Sequence, residues 1–210
     1  MLGFFMAQEI ENYIRDADVS DAEAIARIHV RSWQVAYRGM MPDSLLDNLS
    51  VQDRILQWQK RLTDHKESTL VVETGGSVAG WATFGQSRDD DAGARTGELT
   101  AIYLDPLVWG RGLGKLLYRE IEKRLQQAAF TEVTLWVLEA NSRARRFYSS
   151  IGYAEEDGTT KSVLREGVEI PEIRVRYRKA LGSSVNPISS TEIAGARCPI
   201  DIKSLNSCSG

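Results

Sequence analysis

ELTAIYLDPLVWGRGLGKLLYREIEKRL, Glu98 to Leu125, decides how this chain folds. An apolar strand runs through Asp105-Pro106 into three alternating glycines, Gly110, Gly112 and Gly114, and these open a helix. Behind them Leu113, Leu116, Leu117, Ile121 and Leu125 recur at three- and four-residue spacing, while Lys115, Arg119, Glu122 and Lys123 take the other face. That is the pattern of a half-buried helix. A helix start carries unpaired N–H groups and partial positive charge, so a pyrophosphate docks there if the backbone is bare enough to approach. Two other phosphate motifs do not fit: a dinucleotide fold needs G-x-G-x-x-G and a P-loop needs Lys followed by Ser or Thr, whereas the run here is G-R-G-L-G-K-L. Taken alone, the glycines could equally be packing devices at a strand-to-helix turn.

EVTLWVLEANSRARRFYSSIGYAEE, Glu132 to Glu156, supplies the second half of the constellation. Val133, Leu135 and Val137 read as a buried strand, and Asn141 caps a short helix that closes at Gly152, a left-handed C-terminal position. Tyr153 then restarts extended structure. Together, strand, glycine turn, helix, strand and N-x-x-A-x-x-F-Y-x-x-x-G-Y resemble the GNAT superfamily of acetyl-CoA-dependent N-acetyltransferases. The resemblance is specific from Glu98 to Tyr153 and looser over residues 12 to 180. One departure stands out: the family's phosphate motif begins with Gln or Arg three residues before its first essential Gly, and here that place holds Trp109. Since the family binds pyrophosphate largely through backbone N–H groups, the mechanism suffers less than the motif, and Trp109 is free to pack beneath the loop.

The resemblance implies a mixed α/β fold, a central, mostly antiparallel sheet flanked by helices. It implies acetyl-CoA as cosubstrate, contacted by Ile102, Tyr103, Leu104, Gly110, Arg111, Gly112, Leu113, Gly114, Lys115, Asn141 and Tyr148. The N–H of Leu104 or a neighbour in the splayed strand would polarise the thioester carbonyl. A lysine-like amine is only about one part in a thousand neutral at pH 7, a cost of roughly 4 kcal/mol, so its proton must be taken. Glu98 is the leading candidate for that base, through water, with Glu139 second. Tyr148 would protonate the departing thiolate. On the acceptor side Trp33, Tyr37 and Trp58 are the candidates to line an amine pocket, with Met40 and Met41 beside them, and ordinary core packing is the competing reading.

Outside the constellation, Tyr13 to Arg15 suggest a first strand, and Ser20-Asp21-Ala22-Glu23 reads as a capping box opening a helix that runs to about Gly39. Pro42 fits the first turn of a short helix, and Ser50 caps another containing Ile55, Trp58 and Leu62. Thr69 to Glu73 and Val78 to Phe84 flank Gly75-Gly76, a hairpin signal, and Glu169 to Tyr177 read as a late strand. The domain therefore spans 12–181, with an N-terminal extension over 1–11, where Met6 is an alternative start. Residues 182–210 form a low-complexity tail expected to be disordered.

Composition agrees with one globular domain: 210 residues, 42% hydrophobic, 26% charged, formal net charge −3. So small a charge leaves no basic footprint for nucleic acid. No segment approaches a membrane span and the N-terminus lacks a signal peptide's basic start, so a cytoplasmic location is expected. Cys198 and Cys208 lie beyond the predicted domain, which excludes a disulfide-stapled core and a thiol nucleophile. His29, on the first helix, and His65, in a polar turn, suggest no Ser-His or Cys-His catalytic set and no metal site. Asp89-Asp90-Asp91 reads as a solvated loop, or as a field that draws a cationic amine. The expected partner is a small-molecule or peptide amine, and a homodimer is compatible with everything above.

Overall fold

A computed structural model of the chain describes residues 11–165 and 168–182. The N-terminal extension before residue 11, and the tail beyond Gly182 with both cysteines, lie outside the described residues. Seven strands form one sheet in the order β1-β2-β3-β4-β5-β7-β6: β1 Asn12–Asp16, β2 Ser68–Thr74, β3 Ser77–Gln86, β4 Thr96–Leu104, β5 Glu132–Leu138, β6 Ala154–Arg165 and β7 Val168–Ala180. Every pairing is antiparallel except β4 with β5. The helices are α1 Ala22–Ala36, α2 Asp43–Asp47, α3 Val51–Asp64, α4 Leu113–Gln127 and α5 Ser142–Ser150.

The apolar run Leu70-Val71-Val72 is wholly buried because both faces of β2 are covered. Leu70 and Val72 join the core beneath α4, with Leu117, Ile121 and Leu125, while Val71 points the other way to Ile25, Ile28, Trp58 and Leu62 of α1 and α3. The Gly75-Gly76 turn has the positive φ angles, 58° and 78°, that this hairpin needs.

Several boundaries depart from the sequence reading. The capping box is formed by Asp18 and Asp21 around a short 3-10 turn, not by Ser20 and Glu23, because that extra turn precedes α1. Ser20 instead bonds the Asp18 carboxylate through both its N–H and its hydroxyl. Pro42 sits one residue before α2 rather than within its first turn. Ser50 caps α3 as expected, accepting the Asp53 N–H at 3.1 Å. At the end of β7 Leu181 is buried, its N–H reaches the Thr131 carbonyl at 2.8 Å, and Gln126 bonds the Gly182 carbonyl.

The feature that makes a site is the failure of β4 and β5 to stay paired. They pair only from Thr96 to Glu98 against Glu132 to Thr134. Opposite β3, Thr83 faces Ala101 while Phe84 faces Leu99, so Thr100 is an extra residue in β4. Such a bulge bends its strand. The Thr100 hydroxyl accounts for the disturbed ladder by donating to the Thr83 carbonyl at 2.9 Å. Beyond this bend β4 leaves β5, and a cleft opens between them.

Candidate active site

The cleft is a cavity of about 610 Å³ that runs from the glycine turn to the C-terminal half of α1. One wall is β4 from Leu99 to Leu104, the other Trp136 to Leu138 of β5 with Asn141, Ala144, Phe147 and Tyr148 of α5. Asp105 shapes the entrance to the glycine turn: its carboxylate caps the 3-10 turn Pro106–Val108 at the Leu107 N–H, 3.0 Å away, and pairs with Arg31 of α1.

The glycines divide their work. Gly110 and Gly112 hold φ of 79° and 82°, a left-handed backbone that L side chains avoid, and a Cβ on either would meet open space. Gly112 is the N-cap of α4 and no side chain caps that end, so the first N–H groups of a fifteen-residue helix face the opening. Gly114 differs: its Cβ would sit 3.2 Å from the Phe147 ring, so its bareness lets α4 approach α5. Here the packing reading of a glycine is the correct one, although Gly114 also lines the cavity.

Trp109 packs into the turn. Its indole N–H donates to the Leu104 carbonyl at 2.9 Å, and the Arg143 guanidinium lies 3.6 Å from the ring centroid. The first bond also orients the β4 edge. In a strand the N–H and C=O of one residue share an edge, so the Leu104 N–H faces the cleft, as does that of Ile102 two residues earlier. The Asp105 N–H, on the opposite edge, goes to Ala79 of β3 at 2.8 Å.

Asn141 spends its side-chain oxygen on the Ala144 N–H at 3.0 Å, which fixes the start of α5. Tyr148, further along α5, is half-buried with its ring edge against Tyr153 and tilted toward Tyr177. Burial, with a smaller contribution from the nearby Tyr103 phenol, raises its pKa above the ordinary tyrosine value. The phenol therefore holds its proton throughout the neutral range. At the α1 end the hydroxyls of Tyr37 and Tyr103 are hydrogen-bonded at 3.0 Å.

Of the residues singled out in the sequence, Ile102, Tyr103, Leu104, Gly110, Gly112, Gly114, Lys115, Asn141, Tyr148 and Tyr37 do meet around this cavity. Others do not. Arg111 is exposed beside it, and the Leu113 side chain belongs to the core under α4. Trp58 and Trp33 are corrected to core residues: Trp58 is buried with Ile25, Ile28 and Trp81 and donates to His29 Nδ1 at 3.3 Å, and Trp33 is buried with Met41 and Leu46. Neither lines the cavity, although Trp33 packs edge-on to the Tyr37 ring that does.

Glu98 is also corrected. It is only 4% exposed, and its carboxylate accepts the Arg88 backbone N–H at 3.2 Å, Nε at 3.0 Å and Nη2 at 2.9 Å. It does not line the cavity, and the bonds to Arg88 hold it on the far side of β4's start, against the β3–β4 connection. Glu139 is exposed and likewise outside the lining. The acidic run is tethered rather than free: Arg176, buried at 5% exposure, forks onto Asp91 at 2.6 and 2.7 Å, and Asp89 accepts the Trp136 indole N–H at 2.9 Å. Residues missed from the sequence include Trp136, Phe147 and Thr100, whose local patterns look like ordinary strand and helix. Among the described residues no cluster of metal-ligating side chains occurs, and no helix is long and apolar enough to cross a membrane.

Comparison with known proteins adds four findings. The family model described as Acetyltransferase (GNAT) family matches residues 23–153. An uncharacterized N-acetyltransferase of Bacillus subtilis is 33% identical over 128 residues, 61% of this chain and 72% of its own length. A spermidine N(1)-acetyltransferase of Thermoplasma acidophilum is 25% identical over 155 residues, covering 73% of this chain and 94% of its own. Among solved structures, the PaiA N-acetyltransferase of Thermoplasma acidophilum in complex with coenzyme A superposes with a TM-score of 0.62 at 19% identity, over 81% of this chain and 99% of that one. At that identity the likeness speaks for the fold.

Proposed function

Because the chain belongs to the acetyltransferase (GNAT) family and is an N-acetyltransferase, we propose that it moves an acetyl group from acetyl-CoA directly to the primary amine of a small molecule. The observation that carries this reading is the cleft between β4 and β5, which joins a bare helix N-terminus at one end to the Tyr37–Tyr103 hydroxyl pair at the other. The fit to acetyl-CoA rests on the glycine turn. Open space over Gly110 and Gly112 admits a diphosphate to the first N–H groups of α4, and the splay of β4 from β5 makes room for an extended thioester arm.

In the reaction the amine nitrogen, having lost its proton to water in the cleft, attacks the thioester carbonyl carbon. Negative charge develops on the carbonyl oxygen, and one cleft-facing N–H of β4, that of Leu104 or its neighbour Ile102, receives it. When the C–S bond breaks, the electron pair leaves on sulfur and Tyr148 gives its phenolic proton to the thiolate. Solvent then restores that proton. Because burial raises the Tyr148 pKa, the phenol keeps its proton until charge develops on sulfur. No acetyl-enzyme forms in this scheme.

The test is thiol release from acetyl-CoA in the presence of a panel of amines: spermidine, amino acids, aminoglycoside-like amines, and peptides with a free N-terminus or lysine. Release stimulated by a small amine supports the reading. Stimulation by peptides alone would move the acceptor to protein N-termini or lysines, and coenzyme A binding with no release for any amine would make the chain an acyl-CoA sensor.

A further inference from the structure

The cleft carries more positive charge than the protein itself balances. Its lining includes Lys115 and Arg143 but no Asp or Glu. Arg143 is exposed, in the first turn of α5, and among the described residues it forms no ion pair. Its guanidinium carbon lies over the Trp109 ring, 3.6 Å from the centroid, and that ring is pinned by its N–H bond to the Leu104 carbonyl. A guanidinium laid on an aromatic face loses no donors, because all five N–H groups project from the edge of the plane. Stacking also fixes an otherwise mobile side chain, so little freedom remains to be lost when an anion arrives. The stack stands beside Gly110 and Gly112, where a Cβ would meet open space.

We propose that Arg143 is a diphosphate-binding residue, with Trp109 as the platform that holds its planar fork edge-on to the phosphates as they enter the α4 N-terminus. The proposal rests on the acetyl-CoA reading above and adds to it a side-chain clamp, built from two elements, on a cradle otherwise made of backbone. Trp109 acts through Arg143 and is a positioning residue.

Calorimetric titration with coenzyme A and with 3′-dephospho-coenzyme A, and competition by S-acetylpantetheine, which has no phosphate, distinguish the possibilities. Loss of a charge-assisted hydrogen bond predicts that Arg143→Ala weakens both nucleotide ligands by about 10- to 100-fold and leaves S-acetylpantetheine unchanged. Arg143→Lys, which keeps the charge but not the stack, should recover only part of the loss. Trp109→Leu should weaken binding in the wild-type background and add nothing to Arg143→Ala, since the ring acts on the diphosphate only through its cation. Equal affinity for Arg143→Ala and wild type overturns the proposal. A loss confined to coenzyme A, sparing the dephospho form, also overturns it, by moving Arg143 to the 3′-phosphate. Additive losses at positions 109 and 143 overturn the platform role. If the wild-type chain binds neither nucleotide ligand, the acetyl-CoA reading itself fails, an outcome distinct from an insensitive variant.

Discussion

Glu98→Gln separates a structural carboxylate from a catalytic one. In the wild type one oxygen of Glu98 accepts Arg88 Nη2 at 2.9 Å, and the other accepts Nε and the backbone N–H at 3.0 and 3.2 Å. The bond to Glu98 is also the main reason the Arg88 guanidinium is held above its ordinary pKa. Gln keeps one acceptor but turns an NH2 group toward an Arg that has only donors to offer. Charge-assisted bonds contribute about 1.5–3 kcal/mol. The lower part of that range applies, because the Arg88 side chain is 63% exposed and can turn to water or to Glu67, 3.5 Å away. A loss of about 1.5–2 kcal/mol in a domain of this size lowers Tm by roughly 3–8 °C. Thermal unfolding should show that drop, while turnover at saturating substrate, well below the transition, stays within about twofold of wild type. An unchanged Tm with turnover reduced a hundredfold and a shifted acidic limb would refute the argument and restore Glu98 as the base.

Tyr148→Phe keeps the ring against Tyr153 and Tyr177 and removes the proton, so turnover should fall by about 10²- to 10⁴-fold with acetyl-CoA affinity unchanged; near-normal chemistry would assign the proton to water. Since the Tyr148 pKa is raised, its acid form persists as pH rises, and wild-type turnover should show no decline from loss of this proton up to about pH 9. The Arg176 fork holds the Asp91 carboxyl below its ordinary pKa, so the stability it contributes is complete above that value and disappears as pH falls through the lower folded value. Asp91→Asn should therefore flatten the acid limb of a stability-against-pH curve and leave the alkaline limb alone; parallel curves would show the tether contributes nothing. Leu181→Ala should destabilise by about 2 kcal/mol, because this side chain closes the core beneath α4, and an unchanged unfolding midpoint would mean the domain ends earlier.

What was legible in the sequence was local. The glycines before an amphipathic run, the Gly-Gly hairpin and the Asn141 cap each declare themselves within a few residues, and the structure has all three. The glycine turn was readable because backbone geometry is encoded by glycine itself. What escaped depends on pairs brought together by the sheet: Arg88 on Glu98 across the β3–β4 connection, Arg176 on Asp91, Tyr37 on Tyr103. Nothing in the periodicity of any of these segments reports such a partner. The aromatic set on α1 and α3 misled for a related reason. A Trp on a helix is equally suited to a pocket and to a core, and only the packing of α1 and α3 on the sheet decides for Trp33 and Trp58. The Thr100 bulge that opens the cleft is invisible in TAIYL, since an extra residue shows itself only against the register of β3.

The central claim, that the α4 N-terminus receives the diphosphate of acetyl-CoA, is tested most directly by calorimetric titration of acetyl-CoA into the wild type and Gly112→Asp. The position has φ of 82° with open space over its Cα, so Asp adds backbone strain of about 1–2 kcal/mol without a clash inside the protein, and it sets a carboxylate where phosphate would approach. Expected are one site per chain in the wild type and no measurable binding in Gly112→Asp, with circular dichroism showing the variant folded. Equal affinity in the two proteins would contradict the claim and place the diphosphate elsewhere.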